Sequence, residues 1–220
     1  MAKEFEAEIF DLDGVICFTD EYHYLAWKEM ADGIGVYFDK EINNRLRGVS
    51  RMQSLEIILE RADREYSEEE KLELTDQKNS EYRDLLNKLT PDDIEEGFRE
   101  LYDFLKENHI LMGVGSSSKN TKFILEKIGL LNSFDGIVDG TMIYNSKPHP
   151  EVFSKAGELL GVKPEECLVV EDAVAGVEAG KAAGMTTVGI KDASLSSFSD
   201  YPVSSLEEII GIVKKLNERN

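Results

Sequence analysis

The sequence predicts an α/β fold, a parallel sheet wrapped by helices, with an all-helical segment inserted behind its first strand. Three observations carry that reading. From about residue 94 onward, short apolar runs that end in polar residues alternate with helical spacing, the pattern of repeated βαβ units. One further apolar run, Glu8-Ile9-Phe10, stands far upstream and ends in Asp11-Leu12-Asp13-Gly14. Between it and the next run, residues 17–89 show helical periodicity and no convincing strand. Residues 1–16 and 90–220 are therefore read as one α/β core domain. Residues 17–89 are read as a helical lid set beside Asp11 and Asp13.

Taken in order, residues 5–10 form the first strand and 11–19 a loop. From Asp20, read as an N-cap, to about Ala31, the spacing of Tyr24, Trp27, Met30 and Ala31 is helical. Glycine-containing breaks at 33–35 and at Gly48-Val49-Ser50 divide the helical segment. Ser50 opens a capped helix through Ser54, Leu55, Ile58 and Leu59, and Ser67 opens another that runs on to Leu89. Thr90-Pro91 ends the pattern. A helix near 94–107 leads into the buried run His109–Gly115, which ends in Ser116-Ser117-Ser118-Lys119-Asn120. Next come a helix over 119–129, a strand over 136–139, Ser146-Lys147-Pro148 and a helix over 150–160. The strand Cys167–Asp172, a helix over 174–183, the strand Met185–Ile190 and a helix over 205–217 complete the order.

A chain of 220 residues has room for one core and a small inserted lobe. Its 44 acidic against 25 basic residues give a formal charge of -19, which repels a nucleic-acid backbone. Cys17 and Cys167 make neither a disulfide framework nor a CxxC metal site, and His23, His109 and His149 lack zinc-ligand spacing. Cys17 reads as a small buried thiol. The charged N-terminus is unlike a signal peptide, and no apolar run approaches membrane-spanning length. A cytosolic protein is expected, without nucleic-acid or membrane partners, and nothing demands more than a monomer.

Four predicted strand ends carry polar groups: Asp11 with Asp13, Ser116 with its neighbours, the loop holding Lys147, and Glu171 with Asp172. In a parallel sheet all four meet at one edge, where ligands bind. Asp11 and Asp13, at i and i+2, project from the same side of an extended chain and repel, so a cation or a proton must neutralise them. Asp11, Asp172 and a backbone carbonyl near Asp13 suit Mg²⁺, which takes few carboxylates and keeps other positions for water and phosphate. Ser116 and the N–H groups after it sit where a helix begins, an anion site, and Lys147 adds a point charge. Such a set describes phosphoryl transfer. Asp11 would attack phosphorus, and Asp13 would give a proton to the leaving oxygen and take one from the incoming nucleophile. Singly, each piece has a plainer reading: a helix cap at Ser116–Asn120, a surface lysine at 147, a capping pair at 171–172.

Asp11-Leu12-Asp13-Gly14-Val15, Ser116, Ser146-Lys147-Pro148 and Glu171-Asp172 match in order the four motifs of the haloacid dehalogenase superfamily, which the chain resembles over essentially its whole length. The resemblance implies a Rossmann-like parallel core with an α-helical cap, and Asp13 sets the chain apart from the dehalogenase branch, among Mg²⁺-dependent phosphotransferases. Asp20-Glu21-Tyr22-His23, Ala26-Trp27-Lys28, Gly48-Val49-Ser50-Arg51 with Ser54, and Ser118-Lys119-Asn120 are similar to the β-phosphoglucomutase family. That family interconverts β-D-glucose 1-phosphate and glucose 6-phosphate through β-glucose 1,6-bisphosphate. The resemblance implies Mg²⁺ held by Asp11, Asp13 (backbone) and Asp172 with Glu171 in support, and Ser116, Ser117 and Lys147 around the transferring phosphate. It implies Arg51, Ser118, Lys119 and Asn120 on the second phosphate, with Thr19, His23, Trp27, Gly48, Val49, Ser50 and Ser54 at the hinge and sugar pocket. Phe18, Cys17 and Ser117 depart from the family's usual residues, and none is a proposed catalytic group. A mutase needs a cation away from the metal, because a bisphosphate must bind in two orientations, and Arg51 is placed to supply it. A sugar-phosphate phosphatase on the same scaffold, a related mutase acting on another hexose phosphate and a non-catalytic binding domain are the alternatives.

Overall fold

Strands β1 (Ala7–Phe10), β2 (Leu111–Gly115), β3 (Gly136–Val138), β4 (Cys167–Glu171), β5 (Thr186–Gly189) and β6 (Tyr201–Pro202) form one sheet in a computed structural model that describes residues 5–217. The order is β3-β2-β1-β4-β5-β6, and every neighbouring pair is parallel. All positions of β1 and β4 are buried, as central strands covered on both faces must be. The chain steps outward from β1 to β3 and then returns to lay β4 against β1. That reversal opens a crevice above the C-terminal ends of these two strands, where ligands bind in open α/β sheets. Phe10 pairs with Val170, so Asp11 and Glu171 leave the sheet side by side.

Helices α1 (Asp20–Gly33), α2 (Lys40–Asn44), α3 (Arg51–Leu59) and α4 (Glu68–Leu86) follow β1 and carry their own apolar cluster of Trp27, Met30, Phe38, Leu55 and Ile58. Ser50 and Ser67 cap α3 and α4 as expected, and each completes a capping box, Ser50 with Gln53 and Ser67 with Glu70. α5 (Phe98–Glu107), α6 (Thr121–Lys127), α7 (Glu151–Leu160), α8 (Val174–Ala182) and α9 (Glu207–Asn217) flank the sheet. One face of the sheet packs Phe10, Val114 and Val170 against α5 and α9 through Phe98, Leu101, Leu105, Ile209 and Val213. The other packs Ile9 and Val169 with Val152, Phe153 and Ala156 of α7 and Ala179 of α8.

Several boundaries depart from expectation. Asp20 is not the N-cap of α1; Thr19 holds that place and spends its hydroxyl on Asp13 instead of the helix. The helix expected from 94 begins at Phe98, because Thr90 caps a 3-10 turn over Pro91–Asp93, Ile94 is extended and Gly97 turns the chain at φ 80°. α4 stops at Leu86, short of Leu89. β6, only two residues long and ending in Pro202, carries too little pattern to read, and its proline is tolerated at a sheet edge. Cys17 is fully buried, as expected. Residues 1–4 and 218–220, assigned to the core from sequence, lie outside the described residues. Among the described residues no helix is long and apolar enough to cross a membrane.

Candidate active site

β1 delivers Asp11 to the crevice, its N–H donating to Val170 O at 2.9 Å. The chain then turns sharply, with Ile16 N–H donating to Leu12 O and Gly14 at φ 80°. A Cβ at Gly14 would overlap the Asp172 carboxylate, so only glycine lets loop and strand end approach this closely. Asp11, Glu171 and Asp172 are all buried, and one oxygen of each lies within 4.8 Å of the others. Lys147, 1% exposed, reaches into this cluster and donates to Asp11 Oδ1 at 2.5 Å and to Glu171. Burial works against its charge, but Asp11 and Glu171 more than offset that and hold its pKa above the ordinary lysine value. The plain surface-lysine reading of Lys147 therefore fails. One lysine among this many buried acids leaves a negative excess. Burial, then Glu171 and Asp11, push the Asp172 carboxyl well above its ordinary range, and burial pushes Glu171 up to about 7. A buried all-oxygen set with surplus negative charge fits a hard metal cation.

Asp13 does not join that set through its side chain. Thr19 Oγ1 donates to its Oδ1, turning the carboxylate toward the root of the lid, and His23 Nε2 stands 3.9 Å away. Burial, with Asp11 nearby, pushes Asp13 up to about 7, the range that suits a group exchanging protons near neutrality. Behind it, His23 lies 4.0 Å from the Tyr82 ring, and Lys78 Nζ is 3.0 Å from His23 Nδ1. Burial, with Lys78 and Arg51, holds His23 well below its ordinary value, and burial and Arg51 do the same to Lys78.

Ser116 is buried at the end of β2, but the segment after it is not the bare helix start expected from sequence. α6 begins only at Thr121, and the N–H groups of Ser118 and Asn120 are taken by the hydroxyls of Ser116 and Ser118, each at 3.1 Å. Ser117 Oγ instead crosses the cleft to Gly48 O at 3.3 Å. On the lid side, Gly48 at φ 75° and the Ser50 cap aim Arg51, at the first turn of α3, toward the same space. A second crossing joins Arg47 to Asp20 at 2.5 Å and to Asp192 of the core at 3.0 Å.

Every site residue named from sequence except Thr19 lines one cavity of about 410 Å³. Thr19 is wholly buried behind Asp13. Sequence reasoning missed Thr75, Lys78, Asn79 and Tyr82, an i, i+3, i+4, i+7 stripe of α4 that faces this cavity. Thr75, Lys78 and Tyr82 are buried, and polar residues at helical spacing carry little sign in sequence that they face inward. Acids and a lysine at one end, with Arg51, Ser118, Lys119 and Asn120 elsewhere on its wall, equip the cavity to hold an anionic molecule of sugar-phosphate size.

The haloacid dehalogenase-like hydrolase family model matches residues 5–184. A β-phosphoglucomutase of Bacillus subtilis is 46% identical over 187 residues, spanning 84% of this chain and 83% of that protein. The crystal structure of a β-phosphoglucomutase from Clostridium difficile superposes with a TM-score of 0.92 at 39% identity, covering 97% of this chain and 98% of that one. A phosphorylated carbohydrates phosphatase of Thermotoga maritima is 31% identical over 186 residues, 83% of each chain.

Proposed function

The chain belongs to the haloacid dehalogenase-like hydrolase family, and we propose that within it the protein works as a β-phosphoglucomutase, converting β-D-glucose 1-phosphate to glucose 6-phosphate through β-glucose 1,6-bisphosphate. The observation that carries this reading is the second set of anion-binding groups, Arg51 with Ser118, Lys119 and Asn120, in the same cavity as the Asp11 cluster. A simple phosphatase needs one phosphate site; a mutase needs two, exchanged between half-reactions.

Asp11 attacks the phosphorus held beside Lys147 and Ser116, giving an aspartyl-phosphate and breaking the bond to the sugar oxygen. Asp13 gives its proton to that departing oxygen and later takes one from the sugar hydroxyl that attacks the aspartyl-phosphate. The elevated pKa of Asp13 suits both roles, and Thr19 and His23 set its direction. Mg²⁺, for which we assign Asp11, Asp172 and the Asp13 backbone with Glu171 in support, would supply neutralisation of charge on the phosphate oxygens. Lys147 keeps Asp11 and Glu171 aligned before substrate arrives. Residues 17–89 act as the lid over the core of 1–16 and 90–220, excluding water so that a sugar hydroxyl is the acceptor. A cytosolic setting belongs to the same proposal.

A ³¹P NMR time course tests the reading, with Mg²⁺, a trace of glucose 1,6-bisphosphate and either anomer of glucose 1-phosphate. Glucose 6-phosphate from the β anomer alone, with little inorganic phosphate, is expected. Inorganic phosphate as the main product from either anomer would overturn it in favour of a phosphatase, the activity named for the Thermotoga relative.

A further inference from the structure

We propose that Asn79 of α4 is a positioning residue for the second phosphate: its side-chain carbonyl joins Arg51 of the lid to Asn120 of the core and sets both donors for the anion. This rests on the phosphate site assigned to Arg51 and Asn120 above. Arg51 Nη2 donates to Asn79 Oδ1 at 2.7 Å, and Asn120 Nδ2 donates to the same oxygen at 2.9 Å. Arg83 Nη1, its guanidinium 4.3 Å from the Phe123 ring, donates to Asn120 Oδ1 at 3.3 Å.

The chain of contacts fixes its own orientation. A guanidinium carries only donors, so Arg51 requires the oxygen of Asn79 on its side. That oxygen requires the Nδ2 of Asn120, which leaves Asn120 Oδ1 for Arg83. Flipping either amide would set donor against donor at one end or the other. Two cations thus determine how two amides stand between them.

Placement turns this into a function. Arg51 and Asn79 come from the lid, on α3 and α4, whereas Asn120 lies between β2 and α6 of the core. The Asn79–Asn120 bond therefore exists only while the lid sits against the core. It engages one of Arg51's five N–H donors and leaves the others for a phosphate. A long, rotamer-rich arginine held before the ligand arrives loses less freedom on binding, so affinity rises without a direct contact from Asn79.

Isothermal titration with glucose 6-phosphate tests this on wild type, Asn79→Ala, Arg51→Ala and the double variant. Alanine is the best helix former, so α4 tolerates the change, and thermal melts check that each variant is folded. Asn79→Ala is expected to weaken binding about tenfold in the wild-type background, by loss of one charge-assisted hydrogen bond's worth of ordering. In the Arg51→Ala background it should weaken binding by no more than about threefold, because only the ordering of Asn120 is then left to lose and residues acting through one another are not additive. Unchanged affinity in Asn79→Ala overturns the proposal, as does an equal loss in both backgrounds or failure of the wild type to bind. Wild-type conversion of β-glucose 1-phosphate, followed in parallel, judges the mutase reading separately, since a phosphatase would still give the binding cycle.

Discussion

Glu8, in the middle of β1, is 1% exposed, and neither carboxyl oxygen has a hydrogen-bond partner among the described residues. By the alternation of a strand it shares the face of Phe10, packed against the apolar residues of α5 and α9. Burial without a partner pushes its pKa from 4.5 up to about 8. The folded state therefore keeps a proton that the unfolded chain gives up. Stability from this source is fully present below about pH 4.5 and is lost as pH rises through about 8. At about 1.4 kcal/mol for each pH unit between the two values, the loss reaches about 3 kcal/mol by neutral pH and approaches about 5 kcal/mol above pH 8. That is a large part of the roughly 5–15 kcal/mol that holds a domain together. Glu8→Gln stays neutral at every pH. It should lie within about 1 kcal/mol of wild type near pH 5 and exceed it by about 4 kcal/mol near pH 8, in urea unfolding followed by circular dichroism. Glu8→Leu, which also removes the unpaired polar atoms, should be more stable than wild type even near pH 5, by about 1–3 kcal/mol. Parallel pH profiles for wild type and Glu8→Gln would refute the reasoning.

Three further outcomes follow from the site. Gly176→Ala normally gains about 1 kcal/mol in a helix, but here its Cβ would overlap the buried Glu171 carboxylate that Lys147 holds. Phosphoenzyme formation from acetyl phosphate should fall more than about tenfold, as expected when catalytic groups shift by about 1 Å; wild-type rates would sink that account. Mg²⁺ with a phosphate-mimicking fluoride should raise the melting temperature, and Asp172→Ala should abolish the rise, because a ligand that binds only the folded state stabilises it. An undiminished rise in the variant would exclude Asp172 as a ligand. Asp192→Ala removes one arm of the Arg47 bridge between lid and core. A partly exposed pair of this kind is worth about 0.2–1 kcal/mol, so KM should rise no more than about fivefold, and less at high salt. A larger change that ignores salt would mean that Asp192 acts in another way.

Much of this protein was determined along the chain. Strand and helix periods, the serine caps at Ser50 and Ser67, and Gly14 after Asp13 are local signals, and local signals survive in sequence. The active-site acids were legible because each sits at the end of an apolar strand, and parallel pairing brings such ends to one edge whatever the details. Tertiary structure decided what depends on partners distant in sequence. Lys147 is a buried counter-ion because β1 and β4 are neighbours, and alone it read as a surface charge. Thr19 turned from helix capping to holding Asp13, and the Ser116–Asn120 segment filled its N–H groups with its own hydroxyls. The inward stripe of α4, Asn79 included, was hidden because Lys and Asn are usually solvated. Only a lid folded against a core brings Arg51, Asn79 and Asn120 within reach of one oxygen, and no spacing along the chain encodes that meeting.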